Sequence, residues 1–234
     1  MVGEMHLKMS VGSAACSATR LGAWVLAFAT VLAAGPPEPV ETELAAARGR
    51  ERLALLNRLA AGSVEKDPSK AARLAGEALT LARRLDDQEA EATATYVLAD
   101  AARVEGDHRL ALERFQAARV LFAALGNQPE LGRSLRRIGD IYYFLGEYEL
   151  ALQRYLEALQ HFERLAKDDP KGKAPLHLAH LQAAIGNVLR ASGDFAGAQQ
   201  YYEKALAAYE RLGFAAGISG ATYNLGLVQQ DLKN

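Results

Sequence analysis

His177 and His180, in the stretch "HLAH", are three residues apart, so both rings would share one face of a helix, with Asp168 and Asp169 close before them. Two imidazoles near a carboxylate are the beginning of a metal site, but such a site needs three or four converging ligands. The pair reads instead as the solvated start of a helix. No serine stands beside a histidine and an acid in a recognisable nucleophile arrangement. Glycines occur singly, so no loop is built to cradle a phosphate. Cys16 is the single cysteine, which excludes an internal disulfide and a cysteine metal site. The tyrosine pairs Tyr142-Tyr143 and Tyr201-Tyr202 hint at an aromatic cage, yet one ring of each belongs to an apolar pattern that recurs along the chain. No catalytic residue, metal or cofactor is expected.

The elements that carry these residues are helical. Half of the 234 residues are apolar, much of that alanine, which favours close helix packing over a large aromatic core. The net charge of −1 provides no basic excess to hold a phosphate backbone, so nucleic acid is not an expected partner. Within "GDIYYFLGEYELALQRY", glycines at 139 and 146 sit in otherwise strong helix-forming sequence, where each costs up to about 1 kcal/mol against alanine. The same spacing returns on both sides. Ala99, Gly106, Ala111, Phe115 and Ala118 match Gly139, Gly146, Ala151, Tyr155 and Ala158, and these match Gly186, Gly193, Ala198, Tyr202 and Ala205. A weaker first copy offers Ala60, Ala71, Ala75 and Ala78, and a final half copy offers Gly226. The alanine opening each second helix falls at 71, 111, 151 and 198, intervals of 40, 40 and 47, with the extra seven residues in Lys167 to Ala174.

This pattern resembles the tetratricopeptide repeat in its lengthened form of about 40 residues. The resemblance implies an all-α fold, a right-handed superhelical solenoid of antiparallel helix pairs with about four and a half repeats. Units are expected near 50–86, 87–127, 128–174 and 175–213, with a half unit over 214–234. Gly139 and Ala151 are expected where the two helices of one unit approach closely, with Ile138, Tyr142 and Tyr155 beside them. Gly146 is expected to end the first helix in a left-handed conformation. In the half unit, Leu225, Val228 and Leu232 are expected to pack inward, leaving Tyr223 and Leu227 partly uncovered; the stop after a first helix reads as truncation of a longer array.

The N-terminus has its own reading. Lys8 and Arg20 precede the uncharged apolar run Leu21 to Gly35, too short for a comfortable membrane span of about 20 residues. Residues 1–35 fit a secretory signal cleaved near Ala33 or Ala34, or an N-terminal anchor. Cys16 precedes the apolar run, the wrong order for a lipoprotein. Residues 36–49 read as a linker and the start of the first helix, with Pro36 to Glu43 extended. The expected location is outside the cytoplasm, in the periplasm, or at the inner membrane through residues 21–35.

Carried over residue by residue, the resemblance implies a concave groove lined by first helices. Its residues are Asn57, then Tyr96, Asp100 and Arg103, then Arg133, Arg136, Asp140 and Tyr143, then His180, Asn187 and Arg190, and finally Tyr223. Four arginines against two aspartates make a mildly basic groove, suited to an acidic peptide or protein partner, with the arginines facing solvent. Asp140 stands where the chaperone-tail binders of the family use a clamp asparagine, which argues against that ligand. The implied function is a non-enzymatic protein–protein interaction module that holds a peptide or helix of its partner. The alternative is the exported sensor region of a signalling protein, a nucleotide cyclase or histidine kinase, with its catalytic domain outside this chain.

Overall fold

The structure, a computed structural model, describes residues 39–233. The expected signal or anchor and the start of the linker lie outside those residues. Where the linker is described, it departs from expectation: Pro39–Ala46 is a helix, α1. A proline in the first helical turn forfeits no hydrogen bond, because the amides there have no intrahelical partner, so the same residue that argued for an extended chain opens a helix.

From Arg48 onward the chain forms a second compact unit, an α-solenoid. Its helices are α2 (Gly49–Ser63), α3 (Pro68–Arg84), α4 (Gln88–Glu105), α5 (His108–Ala124), α6 (Gln128–Phe144), α7 (Tyr148–Asp168), α8 (Ala174–Ala191), α9 (Phe195–Leu212) and α10 (Ala215–Asp231). Each helix packs on its neighbours in sequence, and first helices of adjacent units also touch, as in α2 with α4 and α6 with α8.

The turns follow a rule with half the period of the repeat. Asp67, Asp87, Asp107 and Asn127 stand 20 residues apart, and each accepts a hydrogen bond from the backbone amide three residues on. Asp194 does the same for α9. Each cap satisfies an amide that the helix start leaves unpaired. A left-handed glycine precedes the caps Asp107, Asn127 and Asp194, and Gly146, with φ +76°, lets α6 stop and α7 fold back although Glu147 makes no side-chain cap. The turn into α4 uses Asp86 instead, with φ +53°.

The core is built from small and aromatic positions in register. Ala71, Ala111, Ala151 and Ala198 are fully buried, and Phe115, Tyr155 and Tyr202 are nearly so. Gly139 meets the ring of Tyr155: a Cβ there would lie 2.6 Å from Tyr155 Cε1. Gly186 repeats this with Tyr202 at 2.7 Å. Tyr142 is half-buried beside Ile138. In α10, Val228 is buried as expected, but Leu232 is 50% exposed because it lies past the end of the helix, in the final turn.

Candidate functional site

The expected groove residues all lie on first helices, and most of them are engaged within the chain. Arg103 donates to Asp100 at 2.6 Å and to Glu65 at 3.1 Å. Arg136 donates to Asp140 at 3.3 Å. Arg133 donates to both carboxylate oxygens of Glu130, at 2.8 and 2.9 Å, and its guanidinium lies 5.1 Å over the ring of Tyr96. Arg190 reaches across to Asp231 at 2.7 Å. Five arginines, with Arg137 included, meet five carboxylates, so the expected basic groove is charge-balanced. Of the three arginines expected to face solvent, Arg136 does so least, its side chain 21% exposed, while those of Arg133 and Arg190 are 38% and 35% exposed.

Arg137 is the residue that sequence reasoning missed. It bonds Asp140 in its own helix and Asp100 in the preceding unit, so it joins two units and ties Asp100, Arg103, Arg136 and Asp140 into one network. Burial would lower its pKa, yet the neighbouring Tyr96, Asp100 and Asp140 outweigh that and raise it. The signal was available: in "RRIGD", Arg137 stands three residues before Asp140, in reach on the same helix face.

Other expected positions serve the packing. Tyr96 is buried, edge-on to Phe115, because the neighbouring helix α5 covers it. Asp140 accepts from the Tyr155 hydroxyl at 2.9 Å, and Asn187 accepts from Tyr202 at 2.7 Å. His180 Nδ1 lies 2.8 Å from the Tyr209 hydroxyl, and His177 stacks on Phe162 at 4.7 Å, so this pair is not a solvated helix start. Burial, and then the positive charge of Arg133 and Arg136, pull the His177 pKa down to about 4. Asn57 donates to the carbonyl of Ala90 at 3.3 Å. Tyr143 is half-buried against Tyr148 and Phe144, and Tyr223 is exposed. His180, Asn187, Arg190 and Tyr223 lie outside the Arg137 network. Among the described residues no three histidine, cysteine or acidic side chains converge as for a metal ion.

Two concavities flank the Glu130–Arg133 pair, each about 270 Å³. One is walled by Thr93, Tyr96, Val97 and Phe122. The other is walled by Phe162, Leu165, Lys173 and His177, at the seven-residue extension. Phe122 and Phe162 are 40 residues apart, so the same repeat position supplies an aromatic wall to each. Each recess joins apolar walls to charged residues, Glu130 and Arg133 lining both.

Two family models described as tetratricopeptide repeat match the sequence, over residues 91–164 and 178–212. Those two stretches of the chain carry tetratricopeptide repeats. Among solved structures it is similar to aspartyl phosphate phosphatase F from Bacillus subtilis, with 15% identity, a TM-score of 0.71, and coverage of 83% of this chain and 51% of that one. It is similar to the apo form of RapI, at 18% identity and TM-score 0.70, covering 83% and 71% of the two chains. It is also similar to BtubC from P. vanneervenii, at 25% identity and TM-score 0.65, covering 93% and 82%. The chain thus spans about half the length of the phosphatase F structure. Among curated proteins none matches the sequence.

Proposed function

We propose that the protein is a non-enzymatic module that holds a peptide or helix of a partner protein along its first-helix face. The observation that carries this reading is the pair of recesses repeated one unit apart across the Glu130–Arg133 bridge. A repeat that presents equivalent pockets at fixed spacing suits an extended ligand, whose side chains also recur at fixed spacing. The groove members proposed to touch the ligand are Thr93, Arg133, His177 and Lys173, which line the recesses. Asp100, Asp140 and Asn187 instead hold the wall in shape. An acidic partner draws support only from Lys173 at the rim of the second recess, since the arginines are matched by carboxylates.

Export is part of this proposal and rests on the sequence of residues 1–35. Among the described residues no helix is long and apolar enough to cross a membrane. Peptides selected on the protein from a random display library, then titrated against a variant with a filled recess, test the binding reading.

A further inference from the structure

The two recesses occupy equivalent places in successive units, and they differ in charge. Phe122 walls the first and Phe162, 40 residues on, walls the second. Glu89 lines the first where Pro129, also 40 residues on, lines the second. Among the described residues, the second recess sets Arg133 and Lys173 against Glu130 and Asp169, so its charges cancel. The first sets Glu89, Asp100 and Glu130 against Arg133 alone.

Internal partners account for two of those three acids. Glu130 accepts from Arg133, and Asp100 accepts from Arg103 and Arg137. Three acids open α4, and two of them are also engaged: Asp87 caps the helix through the Ala90 amide, and Glu91 accepts from Arg83 at 2.8 Å. Glu89, between them, is exposed and among the described residues forms no ion pair. The helix dipole favours an acid in the first turn, but Asp87 and Glu91 already supply that charge. The recess thus joins the apolar walls of Tyr96, Val97 and Phe122 to one uncompensated carboxylate. A long basic side chain has the matching form, an apolar stem for the walls and a cationic head for the carboxylate. The fold already makes one such contact on the same ring, with the Arg133 guanidinium 5.1 Å over Tyr96. Building on the reading that the first-helix face holds a peptide, we propose that the recess beside Tyr96 takes an arginine or lysine of that peptide, with its head at Glu89. The recess one unit on, with Pro129 in the place of Glu89, makes no such demand.

The test is selection of peptides from a random display library on the full chain. One selected peptide, and its variant with glutamate at the basic position, are then titrated by calorimetry. Wild type is expected to enrich arginine or lysine at one fixed position. Glu89→Lys should weaken the basic peptide by about tenfold or more, and should bind the glutamate form better than wild type does. Glu89→Gln, which keeps the shape and drops the charge, should fall between. Glu149→Lys makes the same change of charge in the first turn of α7, lines neither recess, and should stay within about twofold of wild type. Circular dichroism accompanies each variant; if Glu89→Lys loses helicity, Glu89→Gln and the glutamate peptide on wild type decide alone. Peptides that Thr93→Trp displaces but that show no basic preference, or lose nothing to the Glu89 variants, overturn this proposal and leave the peptide reading standing. An equal loss with Glu149→Lys overturns it too, by making the effect one of net charge. No peptide selected, or binding indifferent to Thr93→Trp, overturns the peptide reading and this proposal with it.

Discussion

The ring of Tyr155 occupies the space that a side chain on Gly139 would need, and its hydroxyl donates to Asp140, the next residue of the same helix, at 2.9 Å. One aromatic thus does two things. It closes the helix pair of its unit, and it turns the groove-side carboxylate toward the interior. In the unit before, Phe115 has no hydroxyl, and Asp100 turns to Arg103 and Arg137 instead.

Gly139→Leu should force the Tyr155 ring out of its seat, an overpacking cost of about 1–3 kcal/mol or more. Gly186→Leu should behave alike against Tyr202. Glu157→Ala removes only a half-exposed partner of Arg154 and should cost within about 0.5 kcal/mol. Melting temperatures of the three variants decide the matter, and equal values would mean the rings do not fill those seats.

Arg137→Met should cost more than removing a surface pair. It takes one partner from each of Asp100 and Asp140, whose side chains are 13% and 17% exposed and which keep only Arg103, Arg136 and the Tyr155 hydroxyl, and each lost charged hydrogen bond is worth about 1.5–3 kcal/mol. Arg73→Met breaks an exposed i,i+4 pair with Glu77 and should cost about 0.5 kcal/mol or less. Reversing the charge of Arg133, Arg136 and Arg190 together should also lower the melting temperature, because each new acid would face its present carboxylate partner. Urea unfolding that finds Arg137→Met no worse than Arg73→Met contradicts the network.

Stability should fall with acid through His177. Its folded pKa of about 4 lies below the ordinary value of 6.5, so the unfolded chain binds more protons between those two values. The contribution is therefore full above 6.5 and is lost as pH drops toward 4. His180, also lowered by burial, acts in the same direction. His177→Phe should keep the stack on Phe162 and shrink the drop in melting temperature between pH 7 and pH 5. A drop as large in the variant as in wild type would assign the effect to other groups.

N-terminal sequencing of the protein recovered from its native host should find a start near Ala34 or Gly35, outside the cytoplasm. Residues 1–30 intact on a cytoplasmic protein would contradict export.

The repeat was legible because packing imposes it: Gly139 must be small beneath the Tyr155 ring, and Ala151 and Ala158, on the same helix as Tyr155, are fully buried. The cap every 20 residues from 67 to 127 was equally present in the spelling, as Asp67, Asp87, Asp107 and Asn127, although only the glycine turns at the ends of first helices were read. The groove was less legible. Alternation along a helix shows which residues face away from the partner helix, and Arg103, Arg133 and Arg136 do lie on first helices. It does not show what stands opposite in the next unit. Glu65 on Arg103, Asp100 on Arg137 and Asp231 on Arg190 are 38, 37 and 41 residues distant, near one repeat period, and those distances hide the pairing from any local pattern. Tyr96 lines a recess but is 6% exposed, since α5 covers it with Phe115.

The claim that the first-helix face holds the partner is tested most directly by isothermal titration of a selected peptide against two variants. Thr93→Trp fills the recess beside Tyr96, and Val120→Trp adds the same bulk to an exposed site on the second-helix face. Thr93→Trp should weaken binding by about tenfold or more while Val120→Trp stays within about twofold of wild type. Binding that survives Thr93→Trp and fails with Val120→Trp would place the partner on the opposite face and contradict the account.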